Sequence, residues 1–112
     1  MIKSVDKQAE FETLKRTAVA IESLFHPLCE IVIHDFSDLD HSIIHIQGNI
    51  TNRSLGGAAT DLLITQLKSD ENEDYITNYL TTLPGERLMK STTMFLRDET
   101  DCIYGAFCIN FQ

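Results

Sequence analysis

Residues 102–111, near the end of the chain, read CIYGAFCINF and indicate the fold most directly. As a strand it alternates between two faces, with Ile103, Phe107, Ile109 and Phe111 on one and Cys102, Tyr104, Ala106 and Cys108 on the other. Neither face is polar enough to remain in water, so the strand belongs in the middle of a sheet that is covered on both sides. We expect segment 50–69 to cover one face, and the first helix, a partner chain or both to cover the other.

A helix is predicted before the sheet, at about residues 6–25. Apolar side chains recur there at three- and four-residue steps, which is the pattern of an amphipathic helix. They are Phe11, Leu14, Ala18, Ile21 and Phe25. Pro27 ends this helix. A second, shorter helix is predicted to begin after Thr60, which can cap it, and to end near Ser69.

Four further strands are indicated by runs of β-branched and aromatic residues, at about 30–36, 42–47, 75–82 and 87–97. Short turn-forming links follow three of the strands, at 37–40, 84–85 and 98–101, so neighbouring strands pair antiparallel. The acidic residues 70–74 read as a solvated connection. The order of helix, two strands, helical crossover and three strands predicts a single α+β domain with a five-stranded antiparallel sheet.

Composition narrows the class of protein. The chain has 112 residues and a net charge of −8, and its nine Lys and Arg residues are scattered, so direct contact with nucleic acid is disfavoured. No segment approaches the roughly 20 apolar residues of a membrane span, and the N-terminus lacks the apolar run of a secretory signal. The three cysteines show no paired spacing. We therefore expect a cytoplasmic protein without a membrane partner.

Five blocks of the sequence resemble the YheO-like PAS domain, which forms the N-terminal part of bacterial transcriptional regulators. They are 33–37 (IHDFS), 41–43 (HSI), 57–62 (GAATDL), 90–98 (KSTTMFLRD) and 105–110 (GAFCIN). The resemblance extends from about residue 24 to residue 111 and implies a PAS-like five-stranded antiparallel sheet with helices covering one face and an N-terminal helix. It also implies a helix-turn-helix domain after this one. This sequence has no such segment, so DNA is expected as a partner only through a domain outside the chain.

With this resemblance, residues 1–26 are interpreted as an N-terminal amphipathic helix and candidate dimer seam, and residues 27–112 as the PAS-like sensor domain. The leading hypothesis is a sensor or dimerisation domain of a bacterial transcriptional regulator that binds a small polar metabolite between the sheet and the crossover segment. A homodimer is expected. The first alternative is an interaction module that dimerises without a ligand. A remote alternative is a small hydrolase that uses His34 or Ser91.

Six polar residues are the candidate ligand contacts: His34, Arg53, Thr60, Lys90, Thr92 and Asn110. They lie on strands or near the start of the second helix. Arg53 and the pair Gly56-Gly57 precede that start, where free backbone N–H groups beside an arginine can hold an anion. Lys90 and Thr92 share one face of the longest strand.

No catalytic residue, metal site or cofactor is predicted. Asp35 follows His34 on a strand, so the two side chains point to opposite faces and do not form a catalytic pair. His41 and His45 are spaced for zinc only on a helix, whereas the residues between them are typical of a strand.

Overall fold

The computed structural model describes residues 4–68 and 73–112. The elements are α1 (Lys7–Phe25), β1 (Cys29–Asp35), a short 3-10 helix (Leu39–His41), β2 (Ile43–Gln47), α2 (Asp61–Lys68), β3 (Tyr75–Leu83), β4 (Arg87–Arg97) and β5 (Ile103–Phe111). Their order is the predicted one. The expected helix end at Ser69 and residues 70–72 of the acidic connection lie outside the described residues. Neither described helix has the length and apolarity that crossing a membrane requires.

The five strands form one antiparallel sheet in the order β2-β1-β5-β4-β3. The strand β5 therefore lies in the centre and pairs with β1 on one side and β4 on the other. Its middle residues Ala106, Phe107 and Cys108 are 0%, 5% and 6% exposed. The prediction of a central strand covered on both faces is confirmed, and so is the α+β fold with a PAS-like five-stranded sheet.

The helix α1 covers one face of the sheet. Asp6 caps it, because its Oδ1 accepts a hydrogen bond from the Ala9 N–H at 3.0 Å. Most of the predicted apolar stripe turns inward, with Phe11 and Ala18 buried against a cluster that includes Ile31 and Phe107, whereas Phe25 at its end is exposed. The helix of this chain thus supplies the second cover that the sequence left open.

The crossover segment between β2 and β3 covers the opposite face. Ala59 and Leu63 are buried there against Val32 and Ala106. The Oγ1 of Thr60 accepts a hydrogen bond from the Leu63 N–H at 3.4 Å, as expected for the cap of α2. Side chains at alternate positions of β1 and β5 therefore face α1 on one side and the crossover on the other.

The alternation predicted for the last strand is wrong at its beginning. The register of β4 and β5 shifts between the pairs Leu96–Gly105 and Arg97–Ile103, so Tyr104 is an extra residue in a β-bulge. The bulge turns Tyr104 towards α1, where its ring meets that of Phe11 edge-on at 5.6 Å between centroids. Ile103 packs instead with the cluster under the crossover.

The packing of α1 on the sheet predicts a contrast between two alanines of the same helix. Ala18 is fully buried, whereas Ala20 is exposed. Ala18→Leu should lower the free energy of unfolding by about 1–3 kcal/mol because the extra carbons have no space. Ala20→Leu should change it by less than about 0.5 kcal/mol. Urea denaturation of both variants tests this, and equal effects would contradict the observed seating of α1.

Candidate functional site

A cavity of about 390 Å³ lies between the crossover segment and the sheet. Its walls come from β1, β5, β4, β3 and the crossover. The lining residues are Val32, His34, Thr51, Arg53, Thr60, Leu63, Tyr79, Thr81, Leu83, Met89, Cys108 and Asn110. The volume is within the range of about 300–1,000 Å³ that is usual for small-molecule sites.

His34 is fully buried on β1 and lines the cavity. Its Nδ1 is 2.7 Å from the Ser42 Oγ, which holds the ring in place. Its Nε2 is buried and has no hydrogen-bond partner within the described structure. Burial, and secondarily the charge of Arg53, lowers the pKa of His34 to about 4, so the imidazole is neutral near pH 7. This lining residue therefore has one ring nitrogen without a partner within the described structure.

Arg53 is half-buried in the crossover segment at the rim of the cavity. Its Nη2 donates to the Ala58 carbonyl oxygen at 2.6 Å. Among the side chains that the structure describes, no carboxylate lies within ion-pair distance of this guanidinium. Since a guanidinium carries five N–H donors, most of its hydrogen-bonding capacity remains free to meet a ligand.

The glycines near Arg53 do not supply free amide groups. The Gly56 N–H donates to the Ile43 carbonyl at 2.8 Å, and the Gly57 N–H donates to the Ser54 carbonyl at 3.1 Å. The N–H groups of these two glycines are therefore already used, whereas the expectation that N–H groups at the start of α2 hold an anion stays a prediction.

Glu30 anchors the crossover segment to the sheet. Its carboxylate is fully buried and accepts hydrogen bonds from the backbone N–H groups of Ile50 at 2.7 Å and Thr51 at 2.9 Å. It also accepts from the Thr51 Oγ1 at 2.8 Å and the Asn110 Nδ2 at 2.9 Å. A buried charge is tolerated when donors surround it in this way. The Asn110 Oδ1 in turn accepts from the Ser91 Oγ at 2.7 Å, so one polar network joins three strands to the crossover.

A second row of polar groups lies on β3, β4 and β5. The Tyr79 hydroxyl is 2.9 Å from the Thr93 Oγ1, which donates to the Cys108 Sγ at 3.4 Å. Burial is the main cause that raises the pKa of Tyr79, and it raises the pKa of the Cys108 thiol to about 11. Both groups are therefore protonated near neutral pH and contribute no negative charge to the cavity.

Four of the six predicted contacts line this cavity, namely His34, Arg53, Thr60 and Asn110. Lys90 and Thr92 lie on the other face of the sheet, since they pair with Phe111 and Ile109 on the side of α1. The Thr92 Oγ1 accepts a hydrogen bond from the Asn78 N–H at 3.2 Å. Any ligand role of Lys90 and Thr92 would thus be separate from the cavity.

Sequence reasoning missed several lining residues. The cavity is also lined by Thr51, Tyr79 and Thr81, and Glu30 holds the crossover segment above it. The alternation along β3 marks Tyr79 and Thr81 as neighbours on one face, but only the pairing of Tyr79 with Ser91 shows that this face is the one under the crossover. A glutamate within the apolar run of β1 was the available signal for Glu30.

His41 and His45 do not join His34. His45 pairs with Ile33 and so faces α1, while His41 is exposed on the 3-10 helix, where its Nδ1 is 3.1 Å from the Asp38 Oδ2. Within residues 4–68 and 73–112, no group of three or more His, Cys, Asp or Glu is placed to hold a metal ion. The arrangement in the cavity is suited to hydrogen bonding and to binding one negative charge.

The buried neutral state of His34 predicts a pH dependence. The imidazole pKa is about 4 in the folded protein and near its ordinary value of 6.5 in the unfolded chain, so acidification across this window favours unfolding. From pH 7 to about pH 4.5, the wild type should lose about 2–3 kcal/mol of unfolding free energy relative to His34→Gln. Urea titrations at both pH values measure the difference, with His41→Gln as the control for removing an exposed imidazole. A difference that did not change with pH would contradict the assignment.

Comparison with known proteins gives a consistent family. A family model described as the YheO-like PAS domain matches residues 5–112. An uncharacterized protein of Haemophilus influenzae is 36% identical over 108 residues, which cover 96% of this chain and 49% of that protein. The uncharacterized protein YheO of Escherichia coli K12 is 33% identical over 111 residues, which cover 94% of this chain and 46% of YheO. The chain thus spans about half the length of these curated relatives. No solved structure shows a significant match.

The family match includes α1, because it begins at residue 5, well before the sequence blocks that first indicated the resemblance. It also agrees with the observed sheet, which has the five antiparallel strands that the resemblance implied. On the extent of this match, the chain belongs to the YheO-like PAS domain family.

Proposed function

We propose that this domain is the sensor part of a bacterial transcriptional regulator and that it binds a small polar metabolite in the cavity under the crossover segment. One observation carries the proposal: the fully buried His34 is a lining residue of a ligand-sized cavity, and its Nε2 has no hydrogen-bond partner within the described structure. Buried polar atoms are rarely left without a partner, and a ligand atom would complete this one. Arg53, Thr60 and Asn110 are the other proposed contacts.

The cavity has the mixed lining of a small-molecule site. Apolar side chains such as Leu63 and Met89 share its walls with the polar groups, and such sites use a few polar contacts to orient a largely apolar-enclosed ligand. The described polar groups supply donors and acceptors without an activated nucleophile, since the Ser91 hydroxyl donates to Asn110. Sensing is therefore favoured over catalysis.

The hydrogen bonds between Glu30 and the crossover segment offer a route for the signal. Thr51 lines the cavity and is bonded to Glu30, so a ligand that orders the crossover also bears on β1 and β5. Couplings of about 1–3 kcal/mol change partner affinity roughly 5- to 150-fold, which a few hydrogen bonds made in one state can supply. The signal would pass to a DNA-binding domain outside this chain. We place the protein in the cytoplasm, where free thiols such as Cys29 and Cys108 persist.

The two methionines of β4 provide an internal test of where a ligand binds. Met89 lines the cavity, whereas Met94 lies on the α1 side of the sheet. In a metabolite screen with methyl-¹³C-methionine protein, a cavity ligand should shift the Met89 resonance and leave that of Met94 nearly unchanged. At 100 times its dissociation constant it should also stabilise the fold by about 2.7 kcal/mol. If no compound in a broad library moved the Met89 signal, the sensor proposal would fail.

The second candidate is a dimerisation module, and an exposed apolar surface favours it. On the α1 side of the sheet, Leu80, Leu88 and Phe111 are 66%, 61% and 42% exposed. They are neighbours, since Leu80 and Phe111 both pair with Lys90 and Leu88 lies two residues before it on the same face. We propose a homodimer that buries this surface. The seam predicted on α1 would then be limited to its exposed end, near Leu24 and Phe25, because Phe11 and Ala18 already pack on the sheet of the same chain.

Analytical ultracentrifugation tests the dimer. Leu88→Ser should weaken self-association by roughly tenfold or more, because it removes an apolar side chain from the centre of the proposed contact. Leu55→Ser is the matched control, since Leu55 is 67% exposed in the crossover segment, away from this face. A wild-type chain that stayed monomeric at all concentrations, or equal effects of the two variants, would exclude this dimer.

A further inference from the structure

We infer that the cavity binds a small organic monocarboxylate, with its carboxylate on the Arg53 guanidinium, a polar group at the His34 Nε2 and an apolar body between the sheet and α2. The inference rests on the proposed function, because it specifies the class of ligand that the same cavity takes.

The charged groups among the described lining residues indicate which sign of charge a ligand should carry. Arg53 is the charged residue among those lining residues. The titratable groups around it, His34, Tyr79 and Cys108, are uncharged near neutral pH, as described above. The carboxylate of Glu30 does not line the cavity, and its two oxygens accept four hydrogen bonds from other groups. A cationic ligand would find no described carboxylate to meet it, whereas an anion would find a guanidinium with unused donors.

The number of negative charges on the ligand is limited by the single positive charge of Arg53. One guanidinium neutralises one negative charge and presents two parallel N–H donors that match a carboxylate. A phosphate monoester carries about −1.5 to −2 charges near pH 7, so part of its charge would remain uncompensated in a half-enclosed, largely apolar space. The lining therefore favours a carboxylate over a phosphate.

The rest of the ligand is set by the other walls. Val32, Leu63, Leu83 and Met89 present hydrocarbon, which favours an apolar body next to the charged group. The His34 Nε2 favours one polar ligand atom as its partner, because the Nδ1 of the same ring is already paired with Ser42. A carboxylate at one end and a hydroxyl or carbonyl at the other satisfy both positions.

Matched probes on the intact chain test the charge. Phenylacetate, phenylacetamide, phenethylamine and phenyl phosphate share an aromatic body and differ in the polar group. Titrations followed by the Met89 methyl resonance should rank the carboxylate first. Arg53→Gln should weaken phenylacetate binding by roughly tenfold to a hundredfold and change phenylacetamide binding far less, since a hydrogen bond to a charged group is lost only in the first case. Arg16→Gln removes the same charge from an exposed position on α1 and should leave both affinities unchanged.

A second measurement addresses His34. The ¹⁵N resonance of the His34 Nε2 in uniformly labelled protein should move when 4-hydroxyphenylacetate binds and move less with phenylacetate, which lacks the second polar group. The carboxylate inference would be overturned if the amide, amine or phosphate probe shifted the Met89 resonance with an affinity equal to that of the carboxylate. The sensor proposal would still stand in that case. The same conclusion would follow if Arg53→Gln had no effect. If none of these probes and no library compound moved the Met89 resonance, both would fall.

Discussion

The fold is organised around β5, which is buried on both faces at its centre. Its backbone is paired on each side, with β1 and β4, so its residues cannot slide without breaking two ladders. One face is covered by α1 and the other by the crossover segment, and Phe107 and Cys108 are buried under different covers. Because successive side chains alternate, this strand presents hydrocarbon to the helix and places Cys108 and Asn110 at the wall of the cavity.

Glu30 fixes the crossover segment over the sheet, so that the cavity is covered on one side. We call this part of the crossover the roof of the cavity. A carboxylate with no exposed surface is costly to bury, and here the cost is offset by four donors, three of them from Ile50 and Thr51. The start of the crossover is thereby tied to β1, and the packing of Leu63 ties α2 to the same face. Between these two attachments the roof carries Arg53 beside the cavity. The polar network thus determines where the guanidinium lies, although Glu30 itself does not line the space.

The chemistry available in the cavity is that of recognition. The Ser42 hydroxyl is paired with the His34 Nδ1 and is fully buried, so this Ser–His pair orients an imidazole and does not present a nucleophile. The thiol of Cys108 is held protonated by burial. What remains is a set of fixed donors and acceptors around one positive charge, and the proposed sensor role rests on this arrangement.

The order of the elements, the antiparallel pairing and the central place of β5 could be predicted from local patterns: apolar spacing, short links and a strand with two apolar faces. The same patterns indicated His34, Arg53, Thr60 and Asn110, all of which line the cavity. They could not show which face of each strand the crossover covers, because that depends on how the elements pack. A period of two assigns neighbours to opposite faces but does not say which face is which, so Lys90 and Thr92 were grouped with residues that lie across the sheet from them. The bulge at Tyr104 then reversed the alternation, since an extra residue shifts the side chains beyond it to the other face, and that shift depends on the pairing with β4 rather than on the order of residues in β5.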